Sequence, residues 1–122
     1  MVKPVLRVES LCKSFGGVHA IRDLSFEVNE AQILGLIGPN GSGKSTTVNS
    51  LAGLFPITSG AIKLSDSRID ALPEYERVAR GLSRTFQTAS TFAEFTVREH
   101  VMLGSTVTRT SHPLSSVFGI GR

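Results

Sequence analysis

A single cysteine, Cys12, stands in the 122 residues of this chain. No intrachain disulfide can form, nothing points to an oxidising compartment, and a reduced cytosol fits the composition. Long hydrophobic runs are missing as well. The longest apolar stretch surrounds Ile33-Leu34 and Leu36-Ile37, far below the roughly 20 residues that a membrane-spanning helix needs. The chain is therefore expected not to cross a membrane, and any membrane attachment runs through partners. The opening Met1-Val2-Lys3-Pro4-Val5 has neither the apolar core nor the cleavage site of a secretory signal, which argues against export by that route. Clustered charge of one sign is absent too. The net charge is +3, but the thirteen Lys and Arg run from Lys3 to Arg122 with acidic residues between them. That is the pattern of a solvated mixed surface, and no nucleic-acid partner is expected from it. His19, His100 and His112 lie far apart, with no Cys or carboxylate at ligand spacing, so a protein zinc site is not expected. No internal repeat is visible.

What the chain does have is apolar material, 40% of its residues, enough for the core of one modest domain. Residues 5–9 mix apolar and charged side chains in a strand-like pattern, and residues 24–28 alternate strictly, as a half-buried antiparallel strand does. Residues 33–37, Ile-Leu-Gly-Leu-Ile, are apolar or glycine throughout, which predicts a strand covered on both faces. A glycine loop follows it directly. Val48, Leu51 and Ala52 then recur at helical spacing, with Gly53 and Pro56 as a stop, predicting a helix over 44–52. Thr58-Ser59-Gly60 reads as a turn before a strand at 61–64. Pro73 fits the first turn of a short helix through Arg80. Residues 83–86 are short enough to leave a strand assignment open. Thr96 and Glu99 have the spacing of a capping box opening a helix over 96–103. Beyond Gly104 a segment rich in Ser, Thr and Gly, with Pro113, shows no period and reads as loop or tail. The expected division is 1–104 as one partial domain and 105–122 as loop or tail. The last residues, Gly119-Ile120-Gly121-Arg122, bring no closing element, and the expectation is a cut chain.

The loop Gly38-Pro39-Asn40-Gly41-Ser42-Gly43-Lys44-Ser45 satisfies G-x-x-x-x-G-K-[ST], and it lies between an expected strand and an expected helix, the context that supports such a match. A chance match is expected in roughly one chain of this length in a few hundred. Gly41 and Gly43 let the backbone turn so that successive N–H groups face phosphate oxygens, adding to the positive end of the helix dipole. Lys44 offers a compact positive charge to the β- and γ-phosphates. The Ser45 hydroxyl suits Mg²⁺, and Thr46 adds a donor on the α-phosphate side. The ligand this implies is a nucleoside triphosphate, ATP foremost, with Mg²⁺.

Thirty-seven residues precede the loop. They contain Leu11-Cys12-Lys13-Ser14-Phe15-Gly16-Gly17, then Ala20-Ile21-Arg22-Asp23-Leu24-Ser25-Phe26, then the 33–37 segment. That succession resembles the ATP-binding cassette of ABC transporters. Arg84-Thr85-Phe86-Gln87, whose glutamine stands 43 positions after Lys44, resembles the cassette's Q-loop. With Phe15-Gly16-Gly17 it is similar to the ATP-binding subunit of branched-chain amino-acid uptake systems.

The resemblance implies an α/β fold, a P-loop NTPase. It would be an incomplete ABC-type nucleotide-binding domain, with an N-terminal antiparallel β part and the start of a parallel core sheet. It implies that Phe15 stacks on the adenine ring and that Gln87 reaches Mg²⁺ and the attacking water, placing Gln87 and Lys44 in the catalytic set and Ser45 and Gln87 as metal ligands. It also implies membrane permease subunits and a second ATP-binding subunit as partners, at the cytoplasmic face of the plasma membrane. From the residues alone, a core aromatic beside a Gly-Gly turn is the alternative reading of Phe15, and a lone glutamine is usually a surface residue. Phe92, Phe95 and Val97 fall where the family has a groove for a permease helix, and they read as ordinary core residues equally well. Ala31-Gln32 and His100 depart from the family's usual Gly-Glu and Asn.

The 122 residues contain no Leu-Ser-Gly-Gly-Gln signature, no apolar strand ending in Asp-Glu and no switch histidine in context. Phosphoryl transfer needs several such groups positioned together, so these residues are expected to bind ATP better than they hydrolyse it. Two other functions stay open at this point. One is a non-catalytic nucleotide-binding or interaction fragment. The other is part of a soluble ABC protein acting on nucleic acid.

Overall fold

The computed structural model describes residues 3–86 and 91–106. It divides into two units, Met1–Arg84 and Thr85–Arg122, each taken here by itself. In the first unit β1 (Pro4–Phe15) and β2 (Val18–Asn29) form a long antiparallel hairpin. The Gly16-Gly17 turn joins them, with Gly16 at φ 56, a left-handed value that two-residue hairpin turns require and glycine adopts without strain. Both strands run well beyond the 5–9 and 24–28 segments expected from alternation. The reason lies in irregularities within the ladder. The register shifts between Val8 and Leu11 and again between Leu11 and Lys13, and Ser10 and Asp23 take positive φ of 44 and 48. Each shift moves later side chains out of a simple period of two. The backbone groups freed there find side chains: Ser10 N–H donates to Ser25 Oγ at 2.8 Å, and Asp23 N–H to Cys12 Sγ at 3.3 Å.

Next come α1 (Lys44–Ala52), β3 (Ser59–Leu64), the two-residue β4 (Ser67–Arg68) and α2 (Glu74–Ala79). The sheet order is β2-β1-β3-β4, antiparallel at each pairing. Val8, Leu11, Ile21, Ile62 and Ile69 make its buried core, with Leu51 of α1, Leu72 and Leu82 packed against them. Burial of an aliphatic side chain of this kind contributes about 1.5–3 kcal/mol. Gly60 is fixed by close approach: its φ is 99, and a Cβ there would lie 2.5 Å from the Ser10 carbonyl oxygen. At the strand's end Asp70 accepts from Arg68 Nε at 2.7 Å and from Ile62 N–H at 3.3 Å. Burial pushes the Asp70 carboxyl up, but these two donors and the Arg68 charge hold it below its ordinary value.

The helices at 44–52 and 74–79 and the strand ending at Leu64 agree with the sequence expectations. The strand expected at 33–37 does not form. Those residues join no ladder among the described residues, Ile33 is 98% exposed and Ile37 92%. An apolar run specifies two covered faces, but a central strand exists only where neighbouring strands take up its backbone groups. The sheet observed here ends at β2 and β4 and offers no such neighbour. Residues 83–86 likewise form no strand, and no parallel pair occurs among the described residues.

In the second unit the described element is α3 (Val97–Thr106). Thr96 caps it as expected: Thr96 N–H and Oγ1–H donate to Glu99 Oε2 at 2.7 Å each, and Glu99 N–H donates back to Thr96 Oγ1 at 3.3 Å. His100 organises the residues before the helix. Its Nε2 accepts from Phe92 N–H at 3.1 Å, so its Nδ1–H is the donor to the Thr96 carbonyl at 3.0 Å. Phe92 and Phe95 pack on each other and on this imidazole. Phe92 and Val97 remain exposed, so ordinary core burial is not their situation among the described residues.

Candidate functional site

The glycine loop runs straight into α1. Gly43 is the helix N-cap at φ 91, and no side chain caps the helix. The first-turn N–H groups of Lys44, Ser45 and Thr46 therefore have no intrahelical acceptor and face outward at the positive end of the helix dipole. Gly43 cannot be replaced without cost, because a Cβ there would lie 2.4 Å from the Ala20 carbonyl oxygen of β2. Gly41, at φ 83, and the bond from Ser42 N–H to the Pro39 carbonyl, 3.2 Å, fold the loop back on itself. Thr47, which the motif letters do not include, closes the helix start. Its buried hydroxyl donates to the Gly43 carbonyl at 2.9 Å, beside its own N–H at 2.8 Å.

Lys44 carries the charge of the site. Its Nζ donates to the Gly38 carbonyl at 2.6 Å and the Pro39 carbonyl at 2.7 Å, with Ser42 Oγ at 3.5 Å. No carboxylate pairs with it among the described residues. A cleft of about 300 Å³ opens beside it, with Val18, His19 and Ala20 on the hairpin side and Gly43, Ser45 and Thr46 on the loop side. A larger opening of about 530 Å³ shares Lys44 but is bounded by Leu36 and Ile37. The smaller cleft suits an anion, because the uncapped helix N-terminus and the ammonium meet there.

Phe15 ends β1 and is the ladder partner of Val18, which lines that cleft. Its ring meets Phe55 edge-on at 5.3 Å, carries the Lys13 ammonium 4.6 Å from its centroid, and stays 44% exposed. The structure thus brings residues 38–46 together and sets the Phe15 end of the hairpin at their margin. Gln87 lies outside the described residues. Arg84 donates to Asn49 Oδ1 of α1.

No group of three His, Cys, Asp or Glu close enough to hold a metal ion occurs among the described residues. A single hydroxyl at Ser45 fits a cation that keeps several waters and takes its remaining ligands from phosphate. The Ser45 hydroxyl is an oxygen donor of the kind such a cation accepts.

One structural residue escaped the sequence reading altogether. Arg77 of α2 is buried and donates through Nη1 to the Ser50 and Leu51 carbonyls at 2.7 and 2.8 Å. Its Nε bonds Leu72 O at 2.9 Å and its Nη2 Asp70 O at 2.9 Å. It holds the far end of the helix whose near end carries Lys44. No local pattern announces such a contact, since its acceptors are backbone carbonyls up to 27 positions away.

No helix among the described residues is long and apolar enough to cross a membrane. The model of the ABC transporter family matches residues 21–120. A high-affinity branched-chain amino acid transport ATP-binding protein of Pseudomonas aeruginosa is 38% identical over 103 residues, 84% of this chain and 40% of that protein. A lipopolysaccharide export system ATP-binding protein of Escherichia coli is 37% identical over 97 residues, 80% of this chain and 40% of that protein. The crystal structure of a nucleotide-free ATP-binding cassette from an ABC transporter superposes with a TM-score of 0.76 at 34% identity, over 96% of this chain and 46% of that one. The chain thus spans about 40% of the length of these curated relatives.

Proposed function

The chain belongs to the ABC transporter family, and from that premise we propose that residues 38–46 bind the phosphates of ATP, with Mg²⁺, within the ATPase subunit of a solute importer. The observation that carries this reading is the Lys44 ammonium. It is held between the Gly38 and Pro39 carbonyls, with no carboxylate partner among the described residues, in front of an uncapped helix N-terminus. Such a charge, unneutralised and backed by outward N–H groups, attracts a polyanion.

In this reading the N–H groups of Gly41 and Gly43 and of the first helical turn cradle the phosphates. Lys44 lies against the β- and γ-phosphates, and Thr46 donates on the α side. Ser45 would hold Mg²⁺, which would supply neutralising charge to the phosphates. Phe15 supports the adenine, and Gln87 orients the attacking water and contacts the metal. The exposed Phe92 and Val97 face permease subunits at the cytoplasmic side of the membrane, and a second ATP-binding subunit completes the assembly. Residues 1–122 contain no carboxylate strand of the Asp-Glu kind to act as base, so binding is their contribution to turnover.

The solute class proposed is branched-chain amino acids. Identity alone does not choose it, since the uptake and export relatives stand at 38% and 37%. The choice rests on Phe15-Gly16-Gly17 and on Arg84-Thr85-Phe86-Gln87. The test is uptake of labelled leucine by cells whose full-length protein carries Lys44→Ala. Loss of uptake supports the reading, and uptake at the wild-type rate overturns it. Normal leucine uptake combined with failure of lipid export would favour the export relative's role instead.

A further inference from the structure

Lys13 is 8% exposed over the whole residue, its long apolar stem covered. Among the described residues no carboxylate forms an ion pair with it. The contact that it makes is with an aromatic face: its Nζ lies 4.6 Å from the Phe15 ring centroid. An ammonium placed over the negative face of a ring is attracted to it electrostatically.

The same ring is steadied by Phe55, edge-on at 5.3 Å and 86°, yet it remains 44% exposed. Phe15 and Val18 are directly paired across the Gly16-Gly17 turn and so share a face of the hairpin. Val18 in turn lines the cleft beside Lys44 and Ser45. Phe15 does not itself line that cleft, but its ladder partner does.

We propose that Lys13 is a positioning residue for the nucleotide base. Its ammonium occupies one face of Phe15, leaves the opposite face for a purine to stack on, and draws electron density away from that opposite face. Stacked rings repel through their negative faces, so a ring polarised from behind accepts an electron-rich purine more readily. A ring already fixed by Lys13 and Phe55 also loses less freedom when the base arrives. The inference rests on the reading of residues 38–46 and Phe15 given above.

The experiment compares binding of ATP and of tripolyphosphate to the full-length protein, wild type against Lys13→Met, Lys13→Arg, Phe15→Ala and Lys44→Ala. Lys13→Met keeps the apolar stem and removes the charge. It is expected to weaken ATP by about threefold to tenfold, the range of the freedom that one unfixed side chain loses on binding, and to leave tripolyphosphate unchanged. Lys13→Arg, which retains a cation over the ring, is expected to bind ATP as wild type does. ATP affinity unchanged in Lys13→Met while Phe15→Ala weakens it overturns the role of Lys13 and leaves the nucleotide reading standing. Equal loss of ATP and tripolyphosphate in Lys13→Met also overturns it, because a structural residue would behave that way. If Phe15→Ala leaves ATP unchanged while Lys44→Ala abolishes it, the adenine platform itself fails, and the proposal with it.

Discussion

The Arg77 guanidinium, 1% exposed, donates to the Ser50 carbonyl at 2.7 Å across 27 positions of sequence. It places a cation at the C-terminal end of α1, where the helix dipole favours one. Burial pulls its pKa down, opposed by the charge of Asp70, but an arginine starts so high that it stays charged at neutral pH. Arg77→Met removes the donors of four buried or half-buried bonds and is expected to destabilise the first unit by about 3 kcal/mol. Urea unfolding reads this directly. An unchanged midpoint would show that the contact contributes nothing.

Gly43 admits no side chain. At φ 91, with a Cβ reaching 2.4 Å from the Ala20 carbonyl, Gly43→Ala combines backbone strain of about 1–3 kcal/mol with a clash against backbone. Nucleotide binding is expected to fall by more than about tenfold. Calorimetric titration that found wild-type affinity would mean that the loop does not lie against β2 as described.

Glu99 carries the pH dependence of α3. The Thr96 N–H bond, joined by the Thr96 hydroxyl, holds its carboxyl below the ordinary value of 4.5. A depressed folded-state pKa gives a contribution that is complete above 4.5 and is lost as pH falls through the lowered value. An NMR titration of Glu99 is expected to show a midpoint below 4.5, with the α3 amide signals moving in the same window. A midpoint at or above 4.5 would show that the capping box is not formed.

Ile33 and Ile37, almost wholly exposed, leave an apolar segment facing water in this 122-residue chain. Segments of that kind promote association. The double change Ile33→Lys and Ile37→Lys is expected to lower self-association of these 122 residues in sedimentation velocity. The same distribution of species in both proteins would contradict it.

These features differ in how far the sequence announces them. Gly53 and Pro56 stop α1, and the Thr96 and Glu99 pair opens α3, because caps are local chemistry written within a few residues. The bonds of Lys44 to the Gly38 and Pro39 carbonyls are local in the same sense, whereas the close approach of Gly43 to Ala20 is not. The full length of the hairpin is not legible, because its irregularities at Ser10 and Asp23 disrupt the alternation that marks a strand. The 33–37 run records the neighbours a strand wants, and the described residues do not supply them. Arg77 and Lys13 were invisible for a related reason. Each makes sense only through groups that folding brings to it, carbonyls in one case and a ring in the other.

The central claim is that Lys44 and the loop around it hold the phosphates of ATP. Equilibrium binding of a fluorescent ATP analogue, with and without Mg²⁺, to wild type and to Lys44→Ala tests it most directly. The account predicts saturable binding strengthened by Mg²⁺ in the wild type, and a loss of at least about tenfold in the variant, the effect of removing one charged contact to phosphate. Equal affinity in the two proteins, in folded samples, would contradict it.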